Sequence, residues 1–408
     1  MRWLLLLCLL SGSLAAKTLS VADFGADASG AKDASPAFNA LWAAAAGERQ
    51  VQVIIPAGRY RLESRVTFGA RGNDSNYGLS VTGAGEDVTE LQVANADGGL
   101  AFVGESLSRL SVTVSGLSLV ALSEPAGTAL SFDTANPGDQ HSRQFNAHDL
   151  LIRGERFDHG SFARGLAVRN AWYPRLTNVK VTGRYGPRPP RRELAEAILL
   201  EDCYSPLLAD CYVWDATDGL VYRGVRTAPE DGIVRDSYFV GCQRAVTVDL
   251  KRDVTNWEEP AFHLTGCHLA YADRGLTLQG VRQAFVRDCL FYCTDRGGAI
   301  LSPDRTVRDF EPVDIDLVYA AEVQISGNIF TEPSNPKRVA VRIGPDSGVI
   351  RLSDNQFNLQ GTAVRNESKL ASFATGNLFG GRRDFTAGGR RYDDRTGSLV
   401  VKIGRAHV

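Results

Sequence analysis

The sequence is poor in the residues that usually announce a mechanism. Its 408 residues hold one Met, six His and seven Cys, and the formal charge is only -2. With a pI near 6.3 it lacks the bulk positive charge that drives nucleic-acid binding, so no nucleic-acid partner is expected. No His-Glu-x-x-His and no Cys/His cluster with metal-ligand spacing occurs, so no metal site is expected. Gly-x-Ser-x-Gly is absent, and Gly83-Ala-Gly85 lacks the third glycine and following helix of a dinucleotide site. Asp23-Phe-Gly25 has no Gly-rich loop, strand lysine or His-Arg-Asp to make it a kinase motif. No cofactor is therefore expected. Oxygen-rich turns are compatible with calcium, but no loop spacing identifies a site. His263 and His268 lie at odd separation on different strands and read as structural.

Long apolar runs are also missing beyond the first sixteen residues. Arg2 opens a positive segment, Leu4 to Leu10 form a short apolar one, and Ser11 to Ala16 supply a small-residue cleavage zone. That is the anatomy of a secretory signal, too short for a membrane-spanning helix. A lipoprotein reading through Cys8 is opposed by Leu6 and Leu7, which stand where small residues belong. A secreted or periplasmic chain without a membrane partner is expected after cleavage. Six cysteines then remain, an even number that permits disulfides in an exported chain.

What is present is a repeat. An apolar strand, a turn ending in Asp or Gly plus a small or amide residue, and another apolar strand recur as Ile233–Phe239, Leu264–Leu269, Val286–Phe291, Ile325–Phe330, Leu352–Phe357 and Phe373–Phe379. Looser copies place the same marker at 117, 150, 179 and 211, ahead of 237, 267, 289, 328, 355 and 377. A second column follows each marker, a small residue leading an alternating strand: Thr128–Phe132, Gly165–Val168, Ala197–Leu200, Gly219–Tyr222, Ala245–Val248, Gly275–Leu278 and Gly298–Leu301. Each repeat supplies three short strands and no helix, so repeats must stack in parallel, each burying its inner face on the next. The expected fold is all-β, a right-handed, single-stranded parallel β-helix of about ten coils. Asn328, Asn355 and Asn377 would hydrogen-bond along the stack. Cys211, Ser237, Cys267 and Cys289 would fill the same column, with Cys267 and Cys289 on adjacent rungs about 4.8 Å apart. Small buried thiols are the favoured reading of these cysteines.

Residues 35–46 form an amphipathic segment with Pro36 in its first turn, a helix suited to cap the solenoid's raw N-terminal end. The expected organisation is a signal peptide over 1–16, a β-helix domain over 17–379, and a C-terminal cap or tail over 380–408.

The stretch Val21-Ala-Asp-Phe-Gly-Ala-Asp-Ala-Ser-Gly-Ala-Lys-Asp-Ala-Ser-Pro-Ala-Phe38, followed by Val53-Ile-Ile-Pro-Ala-Gly-Arg-Tyr60, resembles the opening of the pectate-lyase-like superfamily, in particular its rhamnogalacturonase and epimerase-like group. The resemblance implies a carbohydrate-processing β-helix with its ligand along the small-residue strand column. It leaves the reaction open. Of the polygalacturonase-type hydrolase motifs, only Thr217-Asp218 of Ala216-Thr217-Asp218-Gly219 matches, and the Asp-Asp, Gly-His-Gly and Arg-Ile-Lys motifs are missing.

Charge concentrates just before the groove strands. Arg164, Glu196, Asp218, Arg244 and Arg274 share one position, with Asp215, Asp273, Asp295 and Arg296 slightly offset. Asp218 and Asp273 would stand two rungs apart, roughly 10 Å, close to the separation of a carboxylate pair in inverting hydrolysis. The expected catalytic set is Asp218, Asp273, Asp215, Arg244 and Arg274. Arg164, Glu196, Trp214, Tyr222, Trp257, Asp295 and Arg296 are expected to contact substrate. An arginine with an acid would also suit a lyase or epimerase, and a non-catalytic glycan-binding β-helix is the third alternative. The competing structural reading is a set of solvated turn charges pairing along the stack. Insertions at 153–164 and 182–196 are expected to enter the groove strands and those at 249–260 and 302–321 to leave them, bringing Tyr185, Trp257 and Phe310. The basic loop Arg184–Arg192 favours an anionic polysaccharide, although a solvated Pro-rich loop is the plainer reading.

Overall fold

The computed structural model describes residues 16–69, 77–104, 109–134, 143–184, 194–227, 229–250, 261–294, 311–331 and 335–379, together with the backbone of three short strands beyond 380. The signal-like segment, Trp257, Asp295, Arg296, Tyr185 and Phe310 lie outside the described residues.

The strands stack into a parallel β-helix of about nine turns. Sequence alternation sets the faces. In Gln50–Ile55 the valines at 51 and 53 point inward while Gln50 and Gln52 point out. Each rung repeats that pattern directly above, as in Val53↔Val81 and Val81↔Val114. One continuous core results, running from Val21 to Ala363. Within it Phe291, Phe330, Phe357 and Phe379 stack in successive rungs at 5.0, 4.8 and 5.2 Å between ring centroids. These are close to the strand spacing that parallel pairing imposes.

The marker column is the corner between the second and third strands of each rung. The residue before it adopts the left-handed conformation, supplied by Asp210, Asp236, Asp288 and Asp354 or by Gly266, Gly327 and Gly376. Asp, Asn and Gly tolerate that region best. The marker residue turns inward and its side chain accepts from the backbone of the rung before. Asn328 N–H donates to Asn355 Oδ1 at 3.1 Å and Asn355 N–H to Asn377 Oδ1 at 3.0 Å. Sulfur takes the same part where Cys267 N–H donates to Cys289 Sγ at 3.4 Å. All six described cysteines are buried and outside any disulfide, and burial pushes the Cys203 thiol up to about 12 and Cys211 up to about 11. They pack as small apolar groups rather than nucleophiles.

The cap forms over Ser35–Ala44, with Pro36 in its first turn and Phe38 and Leu41 buried on the first rungs. Trp42 meets Phe68 edge-on at 5.1 Å. Beyond residue 380 the pairing turns antiparallel, between Thr386–Ala387, Arg390–Asp393 and Ser398–Leu399. Among the described residues, no helix is long and apolar enough to cross a membrane.

One expected groove strand is misplaced in the sequence reading. The strand that pairs beyond Arg274–Leu278 is the start of Val313–Ser326, so residues 313–321 are strand rather than insertion. The small-residue position in that rung is taken by Asp314, with Gly275 directly beside its carbonyl. Asp314 is fully buried, and its oxygens accept from Arg338 Nε and Nη2 at 2.7 Å each and from the Tyr271 hydroxyl. A search for glycine or alanine at this position passes over a carboxylate whose charge is met inside the core.

Candidate active site

The first strand of each rung forms the face carrying the predicted charges. Parallel register brings Thr128, Arg164, Glu196, Asp218, Arg244 and Arg274 into one vertical column. Three residues along, a second outward column runs Ala167, Leu199, Val221, Thr247, Thr277 and Asp316. A third runs Asp133, Arg169, Glu201, Arg223 and Asp249. The middle column is thus a floor between two charged walls, apolar at one end and acidic at the other. Around its centre lies an open cleft of about 430 Å³, lined by Glu196, Asp218, Arg244, Asp273, Arg274 and Asp316, with Val221, Thr247 and Thr277 on its floor.

Glu196, Asp218, Asp273 and Asp316 each meet an arginine. Arg244 grips Asp218 through one guanidinium edge, Nε to Oδ1 at 2.5 Å and Nη2 to Oδ2 at 2.6 Å. That bidentate contact raises the arginine's pKa. Arg164 Nε donates to Glu196 at 2.6 Å. Arg274 holds two acids at once, donating from Nη1 to Asp273 at 2.5 Å and from Nε to Asp316 at 3.1 Å. Sharing one guanidinium confines those two carboxyl groups to within about 8 Å of each other, two hydrogen bonds plus the guanidinium's width.

Asp316 differs from the others. Its side chain is 6% exposed, and burial drives its pKa above the usual carboxylate range although Arg342 and Arg274 oppose the shift. Its Oδ1 lies 3.0 Å from Arg342 Nε, but the two are misaligned and Oδ1 accepts no hydrogen bond. The sequence reading missed this residue because it assigned 302–321 to an insertion. The signal was there: Asp314-Ile315-Asp316-Leu317 alternates as the other groove strands do.

Of the residues expected on sequence grounds, the fold gathers Asp218, Asp273, Arg244, Arg274 and Glu196 in the cleft, with Arg164 next along the wall. Three do not belong there. Tyr222 is an inward position of its strand, 1% exposed, with its hydroxyl donating to the Cys203 carbonyl at 3.0 Å. Leu220 and Tyr222 are both buried positions of this strand, while Val221 and Arg223 line the cleft. Asp215 is the left-handed corner after Tyr212–Trp214, is buried, and lines no part of the cleft. Trp214 stands on the third strand of its rung, against Phe157 at 4.9 Å. Among the described residues no group of three or more His, Cys, Asp or Glu side chains is placed to hold a metal ion.

Comparison with known proteins gives a consistent picture. The family profile described as rhamnogalacturonase A/epimerase, pectate lyase-like matches residues 18–267. A search of curated protein sequences returned no match. Similar solved structures include the surface protein and adhesin PfbA of Streptococcus pneumoniae, with a TM-score of 0.56, 14% identity, and coverage of 89% of this chain and 97% of that one. The A-module of the mannuronan C-5 epimerase AlgE6 of Azotobacter vinelandii aligns at a TM-score of 0.50 and 14% identity, covering 89% and 99%. At these identities the likeness shows the fold alone.

Proposed function

The chain belongs to the rhamnogalacturonase A/epimerase, pectate lyase-like family, and from that premise we propose that it is an exported enzyme hydrolysing glycosidic bonds of an acidic polysaccharide in the cleft between Glu196 and Asp316. The observation that carries the reading is the pair of unlike carboxyl groups on Arg274. Glycoside hydrolysis needs one carboxyl group protonated near neutrality and a second nearby. Asp316, largely buried, with a raised pKa and lining the cleft, fits the proton donor to the leaving glycosidic oxygen. Asp273 supplies the second carboxylate, and the bound of about 8 Å set by the shared guanidinium admits the separation such pairs require. Arg274 fixes both and balances the charge that shifts between them. Arg244, held by Asp218 and 37% exposed, presents a cation to a uronate carboxylate on the neighbouring subsite. Val221, the apolar part of the cleft floor, would lie beneath the carbon face of a sugar ring.

A second reading, a glycan-binding surface without catalysis, is favoured by the completeness of the pairing: Glu196, Asp218, Asp273 and Asp316 all have an arginine partner. Digestion of an acidic-polysaccharide panel separates the possibilities. New reducing ends without near-ultraviolet absorbance support hydrolysis, and their loss in Asp316→Asn and Asp273→Asn assigns the pair. Unsaturated products would make the protein a lyase, an altered uronate configuration in uncut chains an epimerase, and binding without turnover a receptor.

A further inference from the structure

A second open trough lies on a different face of the solenoid, near the capped end. It measures about 660 Å³ and is floored by the second strands of four successive rungs, Gln50–Ile55, Tyr77–Gly83, Leu110–Ala121 and Arg143–Gly154. Register builds two outward columns, Gln50–Gly78–Ser111–Gln144 and Gln52–Ser80–Thr113. Every side chain in them is an amide or a hydroxyl, and Gly78 opens a notch into which the Gln50 carboxamide folds. Gln50, Ser111, Thr113 and Gln144 form no side-chain hydrogen bond with any described residue.

We propose that this trough is a second saccharide-binding site that takes a neutral stretch of polysaccharide. The floor repeats neutral donors and acceptors at the rung spacing of about 4.8 Å, over roughly 14 Å for four rungs. A chain dense in hydroxyl groups matches such a ladder. An added peptide strand does not, since these strands are interior to the sheet and their backbone groups are already paired. An anionic chain would need cations on the floor, and the columns carry none. Arg49 and Arg109 stand at the margin, both engaged in other interactions. The inference shares with the proposed function only the premise that the ligand is a polysaccharide. A site of this kind would keep the enzyme on mixed polymers while the cleft works on acidic segments.

Calorimetric titration of the full chain with maltohexaose, cellohexaose and laminarihexaose, with hexagalacturonate as the acidic comparison, tests it. At least one neutral hexaose should bind, Ser111→Trp should weaken that binding at least tenfold by filling the trough, and Asp316→Asn should leave it unchanged. Should Ser111→Trp fail to fold, the double variant Gln52→Ala/Thr113→Ala, outward-facing on the same floor, serves in its place. No binding by any neutral hexaose, binding of hexagalacturonate alone, or neutral binding that survives these floor substitutions or is lost in Asp316→Asn would overturn the assignment. Absence of cleavage by the unaltered protein, with neutral binding retained, would instead count against the cleft alone.

Discussion

Truncating Asn355 to alanine tests the ladder that fixes the rungs in register. The carboxamide is fully buried and makes four hydrogen bonds. It donates to the Ile325 carbonyl at 2.9 Å and to Asn377 Oδ1 at 2.9 Å. It accepts from the Asn328 backbone N–H at 3.1 Å and from Asn328 Nδ2 at 3.0 Å. Three of the four partners retain some other bond or sit in a carbonyl ladder. The Asn328 N–H loses its acceptor in a place water does not reach. One buried orphan donor costs about 1–3 kcal/mol, and the remaining net bonds add about 1 kcal/mol, so a loss of about 3 kcal/mol is expected. Asn355→Asp keeps the shape but cannot donate to Ile325 or Asn377, and should lose at least as much. Urea unfolding followed by far-ultraviolet circular dichroism gives the total. Hydrogen exchange should place the weakened protection at rungs 325–357 rather than at the N-terminal cap, since each rung leans only on its neighbours. A loss below about 1 kcal/mol would mean that apolar stacking alone sets the corner, and the ladder argument would fail.

Other outcomes follow from the same structure. Arg338→Met strands Asp314 uncompensated in the core and should cost about 3–5 kcal/mol, while Arg338→Met combined with Asp314→Leu should recover most of it in thermal unfolding. Burial alone would raise the pKa of Asp202, but N–H groups of Val225, Thr227 and Arg226 and the Thr227 hydroxyl outweigh it and hold the carboxyl below its usual range. Its contribution is therefore fully present above the unfolded aspartate value and lost as pH falls through the folded one. The stability gap between wild type and Asp202→Asn should be wide near pH 6 and close under acid; a gap unaffected by pH would refute this. Asp316 has the opposite sign: its raised pKa means stability declines as pH climbs from the unfolded value through the folded one, and Asp316→Asn should flatten that decline. Asp218→Asn keeps the outline of the Arg244 contact but removes its charge. It should lower polysaccharide cleavage roughly tenfold or more with folding intact, and full activity would remove Asp218 and Arg244 from the site.

Much of the cleft was legible because a solenoid converts sequence spacing into height. Once the rungs were aligned, Glu196, Asp218, Arg244 and Arg274 had to share a column, and they do. The errors are errors of side-chain direction and of rung assignment. Tyr222 and Asp215 were assigned to the groove by their nearness in sequence to its charges, but Tyr222 is an inward position and Asp215 a buried left-handed corner. Asp316 was passed over because its rung begins with Asp314 where the others begin with a small residue. Only the contact with Arg338 and Tyr271, both distant in sequence, makes that substitution tolerable.

By itself, then, the sequence determined the stacked parallel architecture, its cap and the column of charge, since strand alternation and the turn markers are local and recur at every rung. Tertiary structure alone decided which charges neutralise one another and which acid loses its water. Those depend on the direction of each side chain after the corner and on partners from neighbouring rungs. Arg274 reaches Asp316 across 42 residues of chain, and no local pattern encodes that contact.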